Sequence, residues 1–153
     1  MISPYKDKKF LKKLDTIVLD VGSRYGIHPS WKKFSGELKY YLIEADIDEA
    51  NRLKKKYINR RNEVFISNHA LSDKNGKMKL NILRNKAMST SFKRLINKEY
   101  FLGEKKSFID VIEKRQVNSL TLDKFCKKNQ LDLDFLKIDV EGGEYKILKK
   151  STR

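Results

Sequence analysis

The chain has 153 residues, with 35 Lys and Arg against 20 Asp and Glu, giving a formal net charge of +15. With 39% hydrophobic residues and two prolines it can bury one core, which excludes a disordered tail, a collagen-like repeat and a disulfide-stapled miniprotein. One cysteine forms no internal bridge, no run approaches the roughly 18–20 apolar residues of a membrane span, and residues 1–10 lack a signal peptide's apolar stretch. A soluble, cytoplasmic chain is expected.

Met1 to Leu14 reads as a lysine-rich amphipathic helix, with Phe10, Leu11 and Leu14 at helical spacing. Thr16 to Val21 is a short, nearly continuous apolar run rich in β-branched residues, the pattern of a strand buried on both faces of a parallel sheet, and Gly22 and Gly26 end it. Pro29 to Gly36 predicts a short helix that turns Trp31 and Phe34 onto the sheet. Lys39 to Glu44 predicts a second strand that closes on a carboxylate. Asp46 or Asp48 then caps a helix with Ala50, Leu53, Tyr57 and Ile58 inward.

Val64 to Asn68 is the third strand. A turn at Asp73 to Gly76 leads into Lys77 to Leu83, whose alternation fits a half-exposed strand. The Ser/Thr-rich stretch from Met88, and the polar segment on to Ser107, predict a mobile loop or lid. Phe108 to Val117 alternates again, Thr121 opens a helix through Lys128, and Asp134 to Val140 is the most strand-like run of the second half. A last helix from Gly143 carries Tyr145, Ile147 and Leu148. The βαβαβ order gives an α/β fold with a mainly parallel sheet, one domain over residues 1–153, and a ligand crevice at the carboxyl ends of the strands.

The positive charge invites a nucleic-acid reading, yet 27 of the 35 basic residues are lysines scattered along the chain. Phosphate and base recognition leans on the arginine fork, so solvated helix faces explain the charge better and nucleic acid is not the favoured partner.

Asp20-Val21-Gly22-Ser23-Arg24-Tyr25-Gly26 stands where a buried strand turns towards a helix. Its spacing is not that of a pyrophosphate loop, and no lysine follows to hold a nucleotide phosphate. Glu44 lies 22 positions beyond Gly22 at the end of the second strand, where an acid accepts both hydrogen bonds of a ribose diol. A glycine loop for an amino-acid moiety together with an acid for ribose describes S-adenosylmethionine.

In order along residues 16 to 150, Val18 to Gly26, Ile43-Glu44, Asn68 to Asp73 with Gly76, Thr121 to Asp123, and Phe135-Leu136-Lys137-Ile138-Asp139-Val140-Glu141-Gly142-Gly143-Glu144 resemble the blocks of the FkbM-type family of S-adenosylmethionine-dependent methyltransferases. The last block is the most specific. The resemblance implies a Rossmann-like class I methyltransferase fold and O-methylation of a sugar or other small-molecule hydroxyl in polysaccharide, glycolipid or secondary-metabolite synthesis. By position, Asp20, Gly22, Ser23 and Gly26 would lie along the methionine part of the cofactor, Glu44 on the ribose, and Asn68, His69 and Ala70 beside the adenine. Asp139 would stand beside the methyl group.

Asp139 and Glu141 are the candidate catalytic carboxylates, as base, metal ligands or acceptor contacts. The competing role for Glu141 and Glu144 is to brace the glycine turn. Two positions depart from the family pattern: Ala45 stands where proline is common, and Lys150 where glycine is usual. Relative to the seven strands of such a domain the chain is expected to be C-terminally incomplete. An RNA or protein methyltransferase, and a cofactor-binding module without turnover, are the alternative functions.

Overall fold

A computed structural model describes residues 16–32, 38–92, 107–149 and 151. The expected helix over Met1 to Leu14 lies outside them, as do Phe34, Gly36 and most of the expected lid. The elements are strand β1 (Thr16–Val21), a single turn of helix α1 (Pro29–Lys32), β2 (Leu38–Ile43), α2 (Ile47–Lys56), β3 (Val64–Ser67), β4 (Ala70–Leu71), β5 (Gly76–Leu83), β6 (Val111–Leu120), α3 (Leu122–Asn129), β7 (Phe135–Ile138) and α4 (Glu144–Lys149).

Four strands form a parallel sheet in the order β3-β2-β1-β7. Chain order runs outward from β1 to β3, then returns to the other side of β1, so β1 and β7 flank a topological switch point where a crevice opens. The fold is the expected α/β class with a mainly parallel, Rossmann-like sheet. The side-chain period of two divides its apolar residues between two faces. On one face Val18, Tyr40 and Leu42 meet Leu53 and Tyr57 of the α2 segment. On the other, Leu19, Val21 and Ile43 meet Leu122, Phe125 and Cys126 of α3 and Ile147 of α4. Burial on both sides is why these strands read as nearly unbroken apolar runs. Cys126 is fully buried beneath α3.

Asp46 caps α2 by accepting from the Asp48 N–H, and Thr121 caps α3 through the Lys124 N–H. Because α2 stops at Lys56 and a 3-10 turn follows, Ile58 leaves the helical register and is half exposed, not inward. In α4 only Ile147 is buried, while Tyr145 and Leu148 face outward. Among the described residues β7 borders the parallel sheet, with Phe135 and Leu136 partly exposed.

The alternating stretches at Lys77 to Leu83 and Phe108 to Val117 correspond to β5 and, shifted to Val111–Leu120, to β6, but they form a separate sheet, β4-β6-β5, that the sequence pattern does not indicate. β5 and β6 pair antiparallel, and two residues of β4 pair parallel to β6. The Ser/Thr stretch belongs to it: Thr90 exchanges both backbone hydrogen bonds with Asn81 of β5 and is 2% exposed, so this part of the expected lid is fixed structure. No helix among the described residues is long and apolar enough to cross a membrane.

Candidate functional site

Three strand ends are knitted together at the switch point. Gly22 and Ser23 both donate backbone N–H groups to the Ile43 carbonyl, and Asp139 N–H donates to the Val21 carbonyl. Gly22 has φ +79°, and a Cβ there would lie 1.9 Å from the Asp139 carbonyl oxygen. Glycine is therefore required twice, for its left-handed conformation and for the approach of two backbones.

A cleft opens above these ends. Gly22, Glu44, His69, Ala70, Asp139 and Glu141, all expected site residues, line it together. Glu44 is 7% exposed, and its Oε1 accepts the Asp46 N–H at 2.8 Å. Burial pushes its carboxyl above the usual range, against the opposing pull of the Asp46 N–H and of Arg24. His69 holds the Ser67 hydroxyl through Nδ1 at 2.9 Å, and burial, helped by nearby Lys128, keeps its imidazole below its ordinary pKa.

Asp20, Ser23, Gly26 and Asn68, the other expected residues, are not among those that line the cleft. The Ser23 hydroxyl donates to the Ile43 carbonyl, and the Asn68 amide donates to the carbonyls of Glu44 and Ala45, so both shape the strand ends. Gly26, at φ +87°, lies against Tyr57: a Cβ would fall 2.4 Å from its hydroxyl oxygen, which accepts the Ile27 N–H. Gly26→Ala is expected to destabilise the fold by about 3 kcal/mol, and Tyr57→Phe by about 1 kcal/mol. In the double variant the colliding oxygen is gone, so the losses sum to less than the two singles by about 1 kcal/mol in urea unfolding.

Asp20 is buried on the α2 face and is paired with Lys137, directly opposite in register, at 3.1 Å. This pairing answers the lysine found between Leu136 and Ile138. Burial raises the Asp20 carboxyl's pKa, with Lys137 pulling it back. Lys137→Met should cost about 2 kcal/mol at neutral pH, below the usual figure for a broken buried pair because Lys137 is itself partly exposed. A raised carboxyl penalises the fold once the pH exceeds its folded pKa, and protonation in acid relieves that penalty. Denaturation at neutral and acid pH should therefore show the gap between wild type and variant narrowing on acidification.

Asp139 is well exposed, with Lys137 Nζ 3.7 Å from Oδ2. Glu141 adopts φ +56°, a strained setting for a residue with a side chain, and the Thr90 hydroxyl donates to its carbonyl at 2.7 Å. Glu144 is the brace: its carboxylate accepts the N–H groups of Val140 and Gly142. Burial opposes ionisation there, but these backbone donors prevail and hold the carboxyl below its usual range. The described residues contain no cluster of metal-ligating groups.

Ser89 and Ser91 of the Ser/Thr stretch also line the cleft, and sequence reasoning missed Met78 and Leu80 of β5 and Lys86 beside them. It also missed a buried ionic hub. Asp46, at the N-terminus of α2, takes Arg24 of the glycine loop at 2.6 Å and Arg115 of β6 at 2.7 Å. Burial alone would raise the Asp46 carboxyl, but the two arginines and the Asp48 N–H outweigh it and lower the pKa. Arg115 is 69 positions away, beyond the reach of any local pattern, whereas the capping role of Asp46 was visible.

Residues 20–153 match a family model described as the methyltransferase FkbM domain. No curated protein and no solved structure matches the chain.

Proposed function

The chain belongs to the FkbM methyltransferase family, and from that premise we propose that it uses S-adenosylmethionine, in the cytoplasm, to methylate a hydroxyl of a sugar or other small molecule. The observation that carries this reading is the meeting of Gly22, Glu44 and Asp139, from the ends of β1, β2 and β7, in one cleft. The cleft's chemistry fits the cofactor. Glu44 offers a nearly buried carboxylate with one oxygen steadied by a backbone N–H, suited to a diol. His69 and Ala70 supply a flank for a base, and Gly22 leaves the β1 turn without a side chain.

Bound there, the sulfonium would supply an electrophilic methyl group for in-line attack by an oxygen nucleophile. The chain's task is then to position the acceptor and dispose of its proton. In this reading Asp139 accepts that proton and Glu141 holds a neighbouring hydroxyl, which their lining of the cleft and the Lys137 ammonium 3.7 Å from Asp139 support.

Titration calorimetry with S-adenosylmethionine, followed by transfer of labelled methyl to sugar, RNA and protein pools, tests the proposal. Binding with label in the sugar pool is the expected result. Label in RNA or protein overturns the acceptor, binding without transfer overturns the enzyme reading, and a folded protein giving no heat overturns the cofactor.

A further inference from the structure

The ionic hub lies where Arg24, Glu44 and Asp46 all reach the same cleft. Asp46 is 1% exposed, and its two carboxylate oxygens are divided: Oδ2 takes Arg24, and Oδ1 takes Arg115 together with the Asp48 N–H. Its backbone N–H meanwhile donates to Glu44 Oε1. Arg24 therefore stands among three acids. It is bonded to Asp46, lies 4.0 Å from Glu49, and lines the same cleft as Glu44. Because Arg52 already holds the Glu49 carboxylate, a guanidinium that lost Asp46 would be drawn to Glu44 in the shared cleft, and a direct pair would occupy the oxygens needed for a diol.

We propose that Asp46 is a positioning residue for Glu44: it retains Arg24 at the cleft wall and fixes the N–H donor to Oε1, keeping the Glu44 carboxylate open to the hydroxyls of a ribose. Arg115 makes the antiparallel sheet part of this arrangement, because β6 holds the second oxygen of Asp46 and also pairs with Asp48. The inference rests on the cofactor reading above and adds a residue whose side chain acts on ribose only through others.

The test uses Asp46→Ser, since serine preserves the helix cap while removing both arginine anchors. The probes are S-adenosylhomocysteine and its 2′-deoxyribose analogue, titrated into folded protein whose melting is checked beforehand. Wild type should bind the ribose form at least tenfold more tightly than the deoxy form. Asp46→Ser should weaken the ribose form about tenfold and shrink the preference to under threefold. Adding Arg24→Gln to Asp46→Ser should restore most of the lost affinity, because the competing cation is gone; an ordinary structural defect would not be repaired by a second loss. Equal weakening of both probes, an unchanged preference, or no recovery in the double variant overturns the proposal. Should Asp46→Ser fail to fold, Arg115→Gln carries the same comparison, with a reduced preference supporting the role and an unchanged one refuting it. Wild-type protein that is folded and binds neither probe overturns the cofactor reading itself, and this role with it.

Discussion

Gly22→Ala should leave a protein that neither binds S-adenosylmethionine measurably nor reaches wild-type stability. The added methyl carbon would lie 1.9 Å from the Asp139 carbonyl oxygen, and that oxygen belongs to backbone at the end of β7. A flexible side chain would swing aside, but here a strand end must move. The residue must also keep a left-handed φ, which costs an alanine about 1 kcal/mol before any collision. Displacing Asp139 strains its N–H bond to the Val21 carbonyl, which fastens β7 to β1 at the switch point. A total loss of about 4 kcal/mol is expected. Urea denaturation measures it, and a wild-type midpoint with normal cofactor titration would refute the account.

The second large effect belongs to Glu44. Glu44→Gln preserves shape and most packing, but replaces two acceptor oxygens by one acceptor and one donor. If the carboxylate holds both ribose hydroxyls, the exchange costs about 3 kcal/mol, or roughly a hundredfold in affinity. Acidity supplies an independent check. Burial raises this carboxyl above the ordinary range, so it takes up a proton before exposed carboxylates do. Only the ionised form accepts from both hydroxyls. Wild-type affinity should be level where Glu44 is ionised and fall as the pH drops through its raised pKa, whereas Glu44→Gln should show no such limb. Calorimetry across an acid series reads both quantities, and parallel profiles for the two proteins would refute the role of Glu44.

Much of this arrangement is legible in the sequence because the parallel sheet imposes strict chemistry. Burial on both faces leaves Thr16 to Val21 almost no polar freedom, and the glycine and acid that interrupt the pattern stand out against it. Lys137 is legible in the same way, since a cation among apolar neighbours demands a partner, although its identity as Asp20 depends on register. The second sheet is obscure for the opposite reason. β4 has only two residues, and β6, though its first part alternates, is largely exposed, so neither carries a burial signal that separates it from the parallel sheet. Thr90 looked like loop chemistry because its side chain is polar, and its burial follows from pairing with Asn81 and from the Glu141 carbonyl, 51 positions away. Gly26 and Tyr57 similarly meet across 31 positions, where the absence of a side chain on the glycine makes room for a phenol.

The chain's single cysteine acquires a use from where it lies. Cys126 is wholly enclosed between α3 and the sheet, amid Leu19, Val21 and Phe125. A thiol reagent reaches its sulfur only after that helix has parted from the strands whose carboxyl ends form the cleft. Modification of one atom thus becomes a clock for the opening of one interface, with no competing sulfhydryl to subtract. Any ligand held at those strand ends slows the clock in proportion to its occupancy, so protection of Cys126 measures binding without reference to catalysis.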